Sequence, residues 1–219
     1  MVETGEHSDS PPDVPPVVRQ PVAGVQAYYA ENAGLLSQRY GSVSFEEVHG
    51  KVLDLLPPSP AVALDVGAGT GRDAAALARR GYQVVAVEPT REMRDVARRL
   101  HPSEDVSWVE DFLPELPRLE GTFDLALLSA VWMHLLPAER GQAMERMASL
   151  LAPAGLLVIS LRRGDPPTDR VMFDVSAEDV VRDGERAGLR LVRLVEEGVD
   201  RLGRAEVWWQ TVALRKGEA

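Results

Sequence analysis

Three alternate glycines, Gly67, Gly69 and Gly71, are the positions in this chain best suited to holding a ligand. They lie between Asp65 and Arg72 in the run Leu64-Asp65-Val66-Gly67-Ala68-Gly69-Thr70-Gly71-Arg72. Glycine removes the Cβ atoms that keep a ligand off the main chain, and it permits the positive-φ turn that carries a chain straight from strand to helix. The flanks agree with such a turn. Ala61 to Val66 is a short apolar run that reads as a buried strand, and Asp73 to Arg80 is an alanine-rich helical pattern stopped by Gly81. A dinucleotide fingerprint, G-x-G-x-x-G, needs its third glycine at position 72, where Arg72 stands, so the spacing departs from the pyrophosphate-binding pattern.

A second chemical group follows at a telling distance. Gln83 to Val87 reads as another strand and ends in Glu88, seventeen residues past Gly71. A carboxylate there can accept both hydroxyls of a ribose, the role of the downstream acid in nucleoside-binding α/β folds. The competing reading is a cap for the helix that opens near Pro89-Thr90. Val106 to Val109 is a third strand-like run leading into Glu110-Asp111-Phe112, and Phe123 to Leu128 is a fourth, ending in Ser129-Ala130-Val131-Trp132-Met133-His134.

The acid-G-x-G-x-G run resembles motif I of the class I S-adenosylmethionine-dependent methyltransferases, and the four features from Ala61 to His134 follow one another at that family's spacing. The resemblance implies S-adenosyl-L-methionine as cofactor, with S-adenosyl-L-homocysteine as product. It assigns cofactor contacts to Asp65, Gly67, Ala68, Gly69, Gly71, Arg72, Glu88 and Pro89. Asp111 and Phe112 become an adenine pair, although Phe112 reads equally well as ordinary core. Ser129 and Ala130 fall where the fourth strand delivers residues to the methyl donor. In similar small enzymes tyrosines of the N-terminal segment close over the cofactor, which makes Tyr28 and Tyr40 cofactor candidates and Tyr29 a catalytic one; packing of Tyr29 and Tyr40 on the sheet is the alternative. His134 is a candidate proton acceptor near neutral pH, against the alternative of a hydrogen-bonded structural histidine. Trp132, Arg162 and Arg163 are candidate substrate contacts, the arginines for an anionic group.

Composition bounds the function classes. The chain has 219 residues, enough for one α/β domain with an elaboration. It contains no cysteine, and His7, His49, His101 and His134 show no ligand spacing, so no metal is expected. A formal net charge of −10 argues against a nucleic-acid partner, and pairs such as Arg79-Arg80 and Arg98-Arg99 read as solvated charge. Asp165-Pro166-Pro167-Thr168 resembles the signature of amino-group nucleic-acid methyltransferases only superficially: it follows the fifth strand instead of the fourth, and Thr168 is not aromatic. The acidic N-terminus lacks the apolar core of a secretory signal, and no long apolar run suggests a membrane partner, so a cytoplasmic protein is expected, as monomer or homodimer. Basic residues are nearly all arginine, with lysine only at Lys51 and Lys216, which fits a GC-rich bacterial coding bias.

The elements that must position these groups can be sketched from pattern. Residues 1–20 read as a proline-rich disordered tail, 21–58 as a helical cover and 59–219 as the cofactor-binding core. The cover comprises a helix from Val22 to Tyr40 and a second, opened by the capping box of Ser44 and Glu47, through Leu55. Helices are expected over Arg91–Leu100 and Ala138–Leu151, and a fifth strand over Leu156–Leu161 after a Pro153-Ala154-Gly155 turn. A helix capped by Ser176 precedes two strands, Leu189–Val195 and Ala205–Leu214, that form a hairpin. Repeated strand-helix units imply a parallel sheet. The resemblance supplies the rest: a Rossmann-like seven-stranded sheet with the last strand antiparallel and inserted beside the fifth. Trp208 and Trp209 in that strand are expected to pack.

The expected activity is methyl transfer to an O, N or S nucleophile of a small molecule by in-line displacement. The methyl of a sulfonium is already activated, so orientation, worth about 7–11 kcal/mol, outweighs a general base, worth about 3–5. Two alternatives stand beside it: an NAD(P)-dependent oxidoreductase, opposed by Arg72 and by the lack of a Tyr-x-x-x-Lys pair, and a catalytically silent adenosylmethionine-binding protein.

Overall fold

The computed structural model describes residues 20–197 and 200–218; the tail expected over the first residues lies outside them except for Gln20. Seven strands form one sheet: β1 (Val62–Val66), β2 (Gln83–Val87), β3 (Val106–Val109), β4 (Phe123–Ser129), β5 (Leu151–Arg163), β6 (Leu189–Glu197) and β7 (Trp208–Lys216). Their order is β3-β2-β1-β4-β5-β7-β6. The first five run parallel in sequence-adjacent or crossover pairs, and β7 runs antiparallel to both of its neighbours. This is the expected Rossmann-like architecture, final strand included.

The central strands are apolar on both faces because both are covered. Leu64, Ala126, Leu128, Leu157 and Ile159 form one core with Met144 and Met147 of helix α5 (Arg140–Leu150). Ala63, Leu125, Leu127 and Val158 form the other with Ala74, Ala76 and Leu77 of α3 (Arg72–Arg79). The small alanines of α3 let that helix lie close to the sheet, holding its N-terminus against the glycine loop. Gly71 is the N-cap of α3 and is left-handed, with φ +78. Gly81 follows in the same region at φ +87 and terminates the helix.

The N-terminal helix α1 (Gln20–Gly41) lays a stripe of Val25, Tyr29, Ala33 and Leu36 on the body, and Tyr29 and Ala33 meet Met93 and Val96 of α4 (Arg91–Leu100). Helix α2 (Phe45–His49) starts at the expected capping box, with Ser44 Oγ accepting from Glu47 N. It is shorter than expected: the helix ends at Gly50, and a separate 3-10 turn covers Leu53–Leu55. Two other boundaries differ. Strand β5 begins at Leu151, because Leu151 pairs with Phe123 before a register shift brings Leu156 opposite Leu125. Strand β7 begins at Trp208, after turns that occupy the residues expected to open it. Helix α6 (Ala177–Arg186) is capped by Ser176 as read from sequence. Among the described residues no helix is long and apolar enough to cross a membrane.

Candidate functional site

A cavity of about 280 Å³ opens at the C-terminal ends of β1, β2, β4 and β5 and is roofed by α1. The strand order reverses between β1 and β4, and crevices at such switch points are where open α/β sheets bind ligands.

On the β1–β3 side, the loop after β1 is stitched to β2: Gly67 N and Ala68 N both donate to Val87 O, at 2.8 and 2.9 Å. Gly67 and Gly69 have φ of +70 and +56, so both need glycine's freedom. Their roles differ. A Cβ on Gly67 would collide with the Val131 side chain, whereas one on Gly69 would meet nothing closer than Met93 Cε at 3.6 Å. Glu88 sits across the loop, 6% exposed. Its Oε2 accepts from Gly69 N and its Oε1 from Thr90 N, each at 2.9 Å. The capping role and the loop-facing role therefore coexist in one carboxylate. Burial raises the Glu88 carboxyl above its ordinary value, opposed by the hydrogen bonds from Thr90 and Gly69. Arg94 braces this turn by donating to Glu88 O and Pro89 O.

Asp111 is buried, its oxygens taken by Phe112 N at 2.9 Å and Arg118 N at 2.7 Å. These bonds anchor the turn that leaves Phe112 37% exposed in the cavity wall. Such exposure separates Phe112 from the ordinary core its composition allowed.

Beneath the glycine loop lie two buried acids. Asp65 also lines the cavity, and its Oδ2 is buried with no hydrogen-bond partner. Burial, then the nearby charge of Asp73, pushes the Asp65 carboxyl well up. Asp73 is the opposite case. It accepts Arg72 Nε at 2.6 Å, Arg72 Nη2 at 3.0 Å, Ser129 Oγ at 2.6 Å and His49 Nε2 at 2.9 Å. Burial works against its charge, yet Arg72 and then His49 hold its carboxyl well below the usual carboxylate range.

On the β4–β5 side, Ser129, Ala130, His134, Arg162, Tyr29 and Tyr40 line the cavity. His134 Nδ1 lies 3.0 Å from Val171 O and its Nε2 3.2 Å from the Tyr29 hydroxyl. A carbonyl only accepts, so Nδ1 carries the proton and Nε2 receives Tyr29 O–H. Burial lowers the His134 imidazole to about 4, and burial likewise raises the Tyr29 phenol. Both groups are neutral at pH 7.

Four candidate residues do not line the cavity. Tyr28 precedes Tyr29 on α1 and is turned away by the helical step; its ring lies under the Arg170 guanidinium, 4.6 Å from it. Gly71 faces Ala97, His101 and Trp108, where it allows close packing. Trp132 is fully buried within the core that contains Met144 and Leu161. Arg163 points to the other side of β5 from Arg162 and donates to Val175 O. Conversely, Trp209, expected only to pack, lines the cavity and donates from its indole to Asp200 Oδ1 at 2.9 Å, while Trp208 is 44% exposed. His49, Asp73, Arg170 and Arg204 had no local signal of a site role, and Ser160 had a weak one. The alternation along β5 places Ser160 beside Arg162 on one face, which was the one clue available.

Residues 64–159 match the family model described as a methyltransferase domain. The chain is 34% identical over 137 residues to the biotin biosynthesis bifunctional protein BioHC of Cellvibrio japonicus, covering 60% of this chain and 26% of that protein. It spans from about a quarter to about half the length of the first curated relatives it matches, 26% and 54%. Among solved structures, 1,6-didemethyltoxoflavin-N1-methyltransferase of Burkholderia thailandensis, crystallised with bound 1,6-didemethyltoxoflavin and S-adenosylhomocysteine, superposes with a TM-score of 0.72 at 24% identity over 95% of each chain. The [4+2]-cyclase SpnF superposes at 0.66 with 17% identity, covering 89% of this chain and 96% of that one. The chain shares the Rossmann-like, seven-stranded α/β fold of these structures, and the match to the methyltransferase-domain model lies on its segment from β1 into β5.

Proposed function

We propose that the protein is an S-adenosylmethionine-dependent methyltransferase acting on a small molecule with an O, N or S nucleophile. One observation carries the reading: the glycine loop is flanked by Glu88 on one side and by the unpartnered Oδ2 of Asp65 on the other. Glu88 keeps acceptor capacity for a ribose hydroxyl beyond the bonds from Gly69 and Thr90, and Asp65 Oδ2 has none of its needs met until an ammonium group donates to it. The two acids suit a nucleoside linked to an amino acid. A dinucleotide suits the loop less well, because position 72, where its fingerprint places a third glycine, holds Arg72, whose side chain is committed to Asp73.

Bound in this way, S-adenosylmethionine supplies an activated methyl group. The chain's own contribution is orientation and exclusion of water. Asp111 and Phe112 would hold the adenine, with Gly67, Ala68, Gly69 and Pro89 giving main-chain contact. Tyr40 from α1 and Ala130 from the end of β4 close the middle of the cavity. Arg72 is committed to Asp73, so its part is to fix the loop. His134, neutral and oriented by Val171 O, can accept a proton at Nε2 once substrate displaces the Tyr29 hydroxyl, which makes Tyr29 and His134 the catalytic candidates. Incubation with methyl-labelled S-adenosylmethionine and a mixture of small aromatic and aliphatic metabolites tests the reading. Label should appear in a low-molecular-weight product. Binding of the donor with no transfer to any acceptor would favour the silent alternative.

A further inference from the structure

The half of the cavity left over by the nucleoside reading is walled by arginine and flat apolar groups. In the register of β5 and β7, Ser160 pairs with Thr211 and Arg162 with Trp209, so these four residues share one face of the sheet. All four line the cavity. The segment after β5 brings Arg170 and Met172 over them, and the residues before β7 bring Arg204.

The charges of these arginines are unequally answered. Arg204 is paired with Asp200 through Nη2 at 2.7 Å and Nε at 2.9 Å, so the two cancel. Arg162 donates only to carbonyls, Gly164 O at 3.0 Å and Asp165 O at 2.9 Å, and among the described residues no carboxylate forms an ion pair with it. The Arg170 side chain is 7% exposed, and its carboxylate partner among the described residues, Asp169 at 3.2 Å, is half in solvent. The Nε atoms of both Arg162 and Arg170 are buried with no hydrogen-bond partner. Burial, then the like charges of Arg204 and Arg170, lower the Arg162 guanidinium, with Asp200 and Asp165 in partial opposition. A chain of net charge −10 thus concentrates cations where its own groups leave them short of acceptors.

We propose that this half of the cavity receives the methyl acceptor, and that the acceptor is a flat, largely apolar molecule whose single carboxylate is held between Arg162 and Arg170. The proposal rests on the methyl-donor reading of the other half. Two guanidiniums that line the cavity, Arg162 with no ion pair among the described residues and Arg170 with a half-exposed partner, can each donate to one oxygen of a carboxylate, and a single negative charge balances a cluster already partly offset by Asp169. Trp209, Met133 and Met172 supply the apolar walls for a planar body.

Benzoate and its neutral isostere benzamide test this by ligand-observed NMR titration, with S-adenosylhomocysteine present and its own affinity measured separately. Benzoate should bind at least about tenfold more tightly than benzamide. Arg162→Met and Arg170→Met, which keep apolar bulk, should each erase that preference while leaving the S-adenosylhomocysteine dissociation constant within about twofold. Failure of benzoate to bind, equal affinity for the two probes, or a preference that survives both substitutions overturns the proposal while leaving the donor reading intact. Weakening of S-adenosylhomocysteine as large as that of benzoate also overturns it, since the arginines would then serve the donor's own carboxylate. Absence of S-adenosylhomocysteine binding to the wild-type protein would instead strike the donor reading, and the acceptor proposal with it.

Discussion

Replacing Asp73 by Asn tests whether one buried carboxylate holds the site together. Asp73 gathers donors from three elements: Arg72 at the start of α3, Ser129 at the end of β4 and His49 from α2. Asparagine keeps the shape but turns one oxygen into an N–H2 group that faces donors and removes the charge that Arg72 answers. Breaking a buried pair by removing one partner costs about 3–5 kcal/mol. The Arg72 side chain is 24% exposed and can recover some hydration, which puts the expectation near the lower end, about 3 kcal/mol. That is more than a hundredfold in the unfolding equilibrium. Urea denaturation at pH 7 reads it directly. Because the folded carboxyl titrates below its unfolded value, its contribution is complete above about pH 4 and is lost as the pH falls further, so the gap between wild type and variant should close on acidification. A loss under about 1 kcal/mol at pH 7, or a gap that does not depend on acid, would refute the reasoning.

Two other outcomes follow from the same geometry. Gly67→Ala combines a left-handed backbone with a clash against Val131, so it should destabilise the protein by at least about 1–2 kcal/mol and weaken donor binding, as read by thermal melting with and without S-adenosylhomocysteine. His134 titrates at about 4 when folded and about 6.5 when unfolded, so the unfolded chain binds the extra proton between those values and stability must drop as the pH is lowered through that window. Up to about 3 kcal/mol is at stake, and His134→Gln should flatten that part of the wild-type profile between pH 4 and 7; parallel profiles would contradict it.

The parts of the site that were legible in the sequence are those in which chemistry and its position lie on one short segment. Gly67, Gly69 and Glu88 stand at strand ends, where pattern fixes the strand and hence the loop. The antiparallel ending was legible through the resemblance, since a hairpin alone does not say where it inserts. What pattern could not give was assembled across distance. His49 meets Asp73 from 24 residues away and Ser129 meets it from 56. Tyr28 and Tyr29 are indistinguishable in type, and only the rotation of α1 decides which one faces inward. Trp132 and Arg163 fall at plausible ends of β4 and β5, but a 3-10 turn buries the first and strand alternation turns the second away. Phe112 was ambiguous for the opposite reason, because only the turn anchored by Asp111 leaves it open to the cavity.

The central claim is that the glycine loop and Glu88 form a berth for the nucleoside of a methyl donor. Isothermal calorimetry of the wild-type protein and Glu88→Ala, titrated with S-adenosylhomocysteine and separately with NAD, addresses it most directly. Saturable binding of S-adenosylhomocysteine is predicted, weakened by about 2–3 kcal/mol, or roughly 30- to 150-fold, in the variant, with no comparable heat from NAD. Binding of NAD in its place, or an affinity for S-adenosylhomocysteine that ignores the loss of Glu88, would contradict the account.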